Sequence, residues 1–504
     1  MQKKRRAVAV ESLESRTLFS VSLSPGVNIN LSGATTSQTE ASVAIDPTNP
    51  QRIFVASNIE TGSGLFVSYS NDGGSTWNRR VMASGSDGLV AACCDPSAAF
   101  DTHGNLFLTY ISANLKNVQV VKSTNNGAAF STIASFRGSI DQPTIATGTS
   151  SVWLTFQLKN QIVATGASIS STGVVGSFGT PKSIPKSSGG NFGDIAVGPT
   201  GQVVVTYQYP SGGETATGVY VSTDADGLGA GSFTTPIKAT DTNVGGFDFI
   251  PAQSSRSIDA EVGLAFDRSG GAYNGRLYMV YTDESPDESN NTDIYIRYST
   301  NNGATWSQRV KVNTDATTRS QFNPKIAIDQ TTGYVGVSWY DCRNDGGVVG
   351  SGSTNTIAND DAQLYATVIA STSTGLSVAS NVKVSTGTSN AAAAANGIDF
   401  GDYGALAFQN GYLVPVWSDN SNSTGNNPDG TLHDFDLYTA KVLVSGTPTA
   451  TAGFVSDGTY ASAFANGNHL GKLRHLGSEH EKEEDVDGEI VFIELPPVVL
   501  DETV

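Results

Sequence analysis

The sequence predicts an all-β protein: a seven-bladed β-propeller of four-stranded antiparallel blades, with a six-bladed ring as the alternative. Three observations predict it. A turn-forming octapeptide, Ser70-Asn71-Asp72-Gly73-Gly74-Ser75-Thr76-Trp77, returns as Ser299-Thr300-Asn301-Asn302-Gly303-Ala304-Thr305-Trp306, with weaker copies at 123–130 and from Ser222 onward. Paired apolar runs recur seven times at a spacing of ~50 residues, as four-stranded blades require. The 504 residues include 55 glycines and only 15% charged residues, and long helical periods are missing apart from an alanine run at 391–395.

Each unit opens with an apolar strand, a polar turn and a second apolar strand. The first strands are predicted at 41–46, 96–101, 143–146, 193–197, 262–267, 324–329 and 404–408. The second strands follow at 52–56, 106–110, 152–156, 203–207, 277–281, 334–340 and 413–417. Insertions swell the fifth and sixth units. Asp46, Asp101, Asp267 and Asp329 end their first strands, where an aspartate caps a turn.

The octapeptide places Asp or Asn where a side chain accepts backbone N–H bonds, and Gly where φ is positive. Its closing Trp or Phe folds back as an apolar plug. The pattern Ser-x-Asp-x-Gly-x-Thr-Trp resembles the Asp-box (BNR) hairpin of sialidases and related secreted β-propellers. That resemblance implies a structural turn.

Ring closure is legible too. Residues 27–32, Val-Asn-Ile-Asn-Leu-Ser, lead into the first strand of blade one with the spacing by which 310–313 lead into that of blade six. Between them, Thr35, Ser37 and Gln38 match Thr318, Ser320 and Gln321. Residues 310–313 are the outer strand of blade five, whereas 404–444 supply only three strands. Residues 27–32 are therefore expected to complete the last blade and remove an open sheet edge.

Outside the ring, 1–26 read as a basic leader and 445–504 as a Gly/Thr/Ala/Ser linker followed by an acidic tail. Leu13-Glu14-Ser15-Arg16-Thr17-Leu18-Phe19-Ser20 resembles the Leu-Glu-Pro-Arg-x-Leu-Leu-Ser element near the start of many large bacterial surface and secreted proteins. It implies a secreted or cell-surface bacterial protein. The tail run around His475 and His480 reads as solvated charge rather than a metal site.

A net charge of −18 argues against nucleic acid as a partner. No stretch approaches the ~20 apolar residues of a membrane span. Cys93, Cys94 and Cys342 form no disulfide framework, and the adjacent pair reads as small buried thiols rather than a vicinal disulfide. The chain is expected to be monomeric.

Strand direction sorts the candidate chemistry by face. Residues entering the first strands share a face with those leaving the second strands; the octapeptide turns lie on the other. Entering are Asp95, Asp141, Asp194, Arg256, Asp259, Glu261, Arg319, Asn323, Asp399 and Asp402. Leaving are Asp283, Glu284, Asp341, Arg343 and Asp419, with Trp339, Tyr340, Tyr403 and Trp417 as neighbouring aromatic surfaces. Carboxylates mixed with aromatic rings suit a sugar, which stacks one face and donates hydroxyl hydrogen bonds.

The sialidase resemblance implies more. Arg256, Arg319 and Arg343 would stand for the family's arginine triad, which holds a substrate carboxylate, with Tyr340 or Tyr403 as nucleophile and Asp341 as acid/base. The family's Arg-Ile-Pro segment has no counterpart, since Thr39-Glu40-Ala41-Ser42-Val43 occupies that region. No cofactor is expected; calcium is the ion the acidic loop of Asp283, Glu284, Asp287 and Asp293 would suit. The reading is a propeller that binds a glycan, a surface polymer or another extracellular ligand. A sialidase-type exo-glycoside hydrolase and a structural adhesion module are the alternatives.

Overall fold

The computed structural model describes residues 21–446 apart from 211, 212, 351 and 395. The predicted leader up to residue 20, and the linker and tail beyond 446 with His475 and His480, lie outside the described residues.

Seven four-stranded antiparallel blades form the ring. Blade one runs Ser42–Ile45, Ile53–Ser57, Leu65–Ser70 and Asn78–Met82. The first strand of each blade lies against that of the next, and the seventh lies against the first. Burial explains why the second strands stand out in the sequence. Ile53–Ser57, Leu106–Ser112 and Tyr334–Asp341 are buried at every position, being sandwiched between neighbouring blades. Both faces must then be apolar or internally bonded, which gives continuous hydrophobic runs. Outer strands such as Ser131–Arg137 face solvent and carry no such signal.

Blade seven is closed as expected. Ala405–Gln409, Tyr412–Asp419 and Asp436–Thr439 are completed by Ile29–Asn30, whose residues pair with Thr439 and Tyr438. The buried Asp436 fixes this junction, accepting hydrogen bonds from Asn30 Nδ2, Ser32 Oγ (2.7 Å) and the Ala34 N–H (2.9 Å). A second pairing has no counterpart in the sequence reading: Ser22–Pro25, placed there with the leader, lies antiparallel to Val442–Ser445.

The octapeptide turns share one hydrogen-bond scheme. Ser70 Oγ accepts the Gly74 N–H (2.8 Å), and Asp72 accepts the Thr76 N–H (2.8 Å) and hydroxyl (2.6 Å). Asn125 and Asn301 do the same work in blades two and five, each accepting the N–H four residues on at 2.9 Å. Glycine is required for two reasons in these turns. Gly127 and Gly303 have φ of 83° and 84°, and a Cβ there would lie 2.5 Å from Phe54 and 2.9 Å from Val221 of the preceding blade. The turns therefore also seat one blade on another. Asp46, Asp101, Asp267 and Asp329 cap their turns through the N–H two residues ahead.

Two insertions leave the regular pattern. A hairpin, Asp248–Ile250 with Gln253–Ile258, precedes blade five. In blade six the long strand Asp361–Thr372 pairs with three short ones, Gly375–Val378, Val382–Lys383 and Ser389–Asn390. The short helix Ala391–Ala394 follows.

The thiol reading of the adjacent cysteines is corrected: Cys93 and Cys94 are joined in a disulfide, and both are only half-buried. The first strand of blade two shifts register on each side of Cys94, and this irregular backbone accommodates the linkage. Cys342 is a buried free thiol.

Candidate functional site

The site is built by the entrances of the first strands. A residue with positive φ stands there in blade after blade: Glu40 (55°), Asp95 (56°), Gln142 (40°), Phe192 (54°), Glu261 (40°) and Asn323 (49°). None is glycine, so each carries a backbone cost that must be offset by its surroundings. The first strands of blades two, three, four and six also shift register at this point. The bulges of blades two to four set Asp95, Gln142 and Phe192 in the wall of one pocket, which Glu40 joins from the unbulged first strand of blade one.

That pocket has a volume of about 470 Å³. Its wall includes Glu40, Asp95, Asp141, Asp259 and Asp402, one arginine (Arg256), the Cys94 half of the disulfide, and Phe192 and Phe247. The blade-five hairpin supplies Arg256. Asp399 anchors it by accepting the N–H groups of Ser255 (2.7 Å) and Arg256 (3.0 Å), and Gln253 Nε2 donates to Gly401 O at 2.9 Å. A smaller cavity of about 270 Å³ follows the first strands, lined in part by Asp194, Glu261, Lys325 and Tyr403.

Arg256 is already committed. Its Nε and Nη2 bond the two oxygens of Asp402, each at 2.6 Å, and Nη2 lies 3.8 Å from Glu40 Oε1. Glu40 also bonds Asn58 Nδ2 and accepts the Asp402 N–H at 3.2 Å. One backbone N–H, that of Gln142, serves two carboxyls, Asp95 Oδ2 at 3.3 Å and Asp141 Oδ1 at 3.1 Å. Asn191 Nδ2 holds the other oxygen of Asp141 at 2.9 Å.

Crowding shifts these groups toward the protonated form. Asp95 is pushed up to about 7 by burial and then by the charges of Asp141 and Asp402. Burial, followed by Asp402 and Asp95, raises Glu40 well above the usual carboxylate range. Asp259 is raised well above it by burial and by Glu261, and Asp141 is raised chiefly by burial. The pocket thus offers carboxyl donors as well as acceptors. The rim is apolar: Phe247 is 51% exposed and meets the buried Phe192 edge-on, with ring centres 6.0 Å apart.

The structure distributes the remaining candidates differently. Arg343 is tied to Asp341 (2.6 Å from Nη2), lies 3.7 Å from Asp315 and packs 4.2 Å over the Tyr365 ring. Arg319 forms no ion pair among the described residues. Arg256 and Arg343 have different carboxylate partners. Tyr340 is enclosed, stacked on Phe322, with its hydroxyl accepting the Ser418 N–H at 2.8 Å. Tyr403 lies in the smaller cavity with Lys325 Nζ 5.1 Å over its ring, and burial raises it well above the usual phenol range.

Trp339 and Trp417 are fully buried, their indole N–H groups donating to Asp341 (2.7 Å) and Asp419 (2.9 Å). This repeated Trp-x-Asp contact turns both aromatic surfaces into blade interior. In the acidic loop, Asp283 pairs with Arg309 and Asp293 with Lys311, while Glu284 accepts the Glu288 N–H at 2.6 Å and Asp287 is exposed. Asp283, Glu284 and Asp293 thus face three different partners. Glu40, Phe192 and Phe247 escaped sequence reasoning. Glu40 had one available signal, its place immediately before a first strand.

The sequence matches no family model and no curated protein. In structure the chain is similar to the GH93 α-L-arabinofuranosidase of Fusarium graminearum in complex with arabinobiose (12% identity, TM-score 0.43, covering 64% of this chain and 93% of that one). It is similar to the Hadza microbial sialidase Hz136 (14%, 0.39, 60% and 63%) and to the phage phi92 endosialidase (11%, 0.42, 86% and 71%). At these identities and TM-scores no residue role passes from those proteins to this one.

Proposed function

We propose that this protein binds a neutral or amine-bearing carbohydrate in the axial pocket, as a secreted or surface-attached bacterial propeller. One observation carries the reading: five carboxyl side chains surround a single pocket whose lone arginine is already paired with Asp402. Protonated carboxyls donate to sugar hydroxyls and ionised ones accept from them, and the exposed face of Phe247 suits the apolar face of a pyranose. A carboxylate-bearing sugar would meet like charge instead, which weighs against a sialidase-type substrate. The Cys93–Cys94 disulfide suits an oxidising compartment, and no helix among the described residues is long and apolar enough to cross a membrane.

A second reading has its own observation. Asp95, raised to about 7, stands beside Asp141 on a shared N–H, an arrangement able to protonate a leaving oxygen with a second carboxylate nearby. A glycan array and a panel of nitrophenyl glycosides separate the readings. Binding of neutral or amino sugars, weakened about tenfold (~1.4 kcal/mol) in Phe247→Ala, supports the binding module. Turnover that disappears in Asp95→Asn and Asp141→Asn while binding persists would establish the hydrolase. Selective binding of sialosides that depends on Arg256 would overturn the neutral-sugar assignment.

A further inference from the structure

We infer a buried calcium site in the insertion of blade six, formed by none of the axial-pocket residues and by none of the acidic loop at Asp283. Residues 342–360 join the second and third strands of that blade. Its aliphatic side chains Val348, Val349 and Ile357 face solvent, at 72%, 67% and 60% exposure. Carboxylates organise it instead.

Asp345 accepts the Ser353 hydroxyl at 2.6 Å through Oδ1, and the N–H groups of Asp360 (2.8 Å) and Asp361 (3.0 Å) through Oδ2. Asp361 takes the hydroxyl and N–H of Thr354, both at 2.6 Å, and Asn390 Nδ2 at 3.0 Å. Asp360 uses Oδ2 for Asn355 (2.9 Å) and Asn390 (3.2 Å). One oxygen from each of Asp345, Asp360 and Asp361 lies within 4.8 Å of the other two. The residues are only 1%, 5% and 1% exposed.

A second observation points to a ligand. Asp360 Oδ1 is buried and has no hydrogen-bond partner. No lysine, arginine or histidine among the described residues pairs with any of the three. Three carboxylates thus share one enclosed place with an oxygen to spare and no positive charge, which proteins ordinarily avoid.

A hard divalent cation resolves both the charge and the bare oxygen. Calcium binds oxygens at ~2.3–2.6 Å, so opposite ligands lie up to about 5 Å apart, and the observed set fits that span. An all-oxygen set does not favour zinc, which prefers nitrogen and sulfur. The ion would tie the start of the loop (Asp345) to its end (Asp360 and Asp361) and, through Asn390, to the strand that follows.

The test uses the full chain, stripped with EGTA and dialysed against calcium or magnesium. Bound metal is read by atomic emission, and hydrogen exchange is followed across the loop. Calcium, but not an equal concentration of magnesium, should be retained and should slow exchange selectively within 342–361. Asp360→Asn should lose that calcium and that protection, whereas Asp429→Asn, in a separate group with His433 and Asp434, should leave the protection unchanged. The inference fails if the stripped wild type takes up no calcium at millimolar concentration, or if calcium leaves exchange at 342–361 unaltered. It fails equally if Asp360→Asn keeps the full effect. Should Asp360→Asn not fold, the wild-type exchange pattern alone decides.

Discussion

Asp72 and Asp95 stand on opposite faces of the ring and show two fates of one side chain. In its hairpin, Asp72 is surrounded by donors: hydrogen bonds from the Thr76 hydroxyl, the Thr76 N–H and Ser70 lower it to about 2. At the entrance of blade two, Asp95 has burial and carboxyl neighbours instead, and it rises to about 7. The Ser70–Trp77 hairpin completes the hydrogen bonds of Asp72 within itself. The axial face leaves acids dependent on one another, and such mutual dependence is where protons and ligands gain purchase.

The largest expected effect tests the axial side of this contrast. Because Asp95 titrates higher in the folded than in the unfolded chain, its favourable contribution is complete below about pH 4 and is lost as pH rises through about 7. Asp95→Asn should therefore gain stability over wild type, on the order of 2–4 kcal/mol, between about pH 5 and about pH 8. Urea unfolding at both pH values checks this, and an unchanged difference would mean that Asp95 is solvated. A smaller effect tests the hairpin side. Ser70→Ala removes a buried hydroxyl that bonds Gly74 and Asp72, and should cost about 1–2 kcal/mol at pH 7.

The smallest effect concerns Asp72 itself. Asparagine does the same work in blades two and five, so Asp72→Asn should leave the thermal midpoint at pH 7 nearly unchanged. The depressed pKa of Asp72 adds stability that is present above about pH 4 and lost as pH falls through about 2. Acid unfolding of Asp72→Asn should consequently be flatter over that interval. A steep loss at pH 7 would show that the charge, not the acceptor geometry, holds the turn.

The blades were legible because each second strand is buried on both faces and cannot hide among polar residues. The closing strand was legible because residues 27–32 repeat the spacing of 310–313. The pocket was half-legible. Asp95, Asp141, Asp259 and Asp402 follow from strand direction, but the partners of each arginine depend on which loops meet in space. Sequence places Arg256, Arg319 and Arg343 on neighbouring blades; the fold hands the first to Asp402 and the third to Asp341. Trp339 and Trp417 look like ligand surfaces in the sequence, and the acids two residues on are what allow their indoles to be buried.

The bond between Asn30 and Asp436 joins residues 406 positions apart in the chain. The last blade thus cannot be finished until nearly the whole ring has been synthesised, and its first-made strand must wait for its partner. Entropy does not forbid the delay, since each doubling of a closed loop costs only about 0.6 kcal/mol. The delay does order events in time: six blades have all their strands in one continuous stretch of chain, and the seventh is a late seam. An emerging chain would hold an open, unpaired sheet edge until that seam closes.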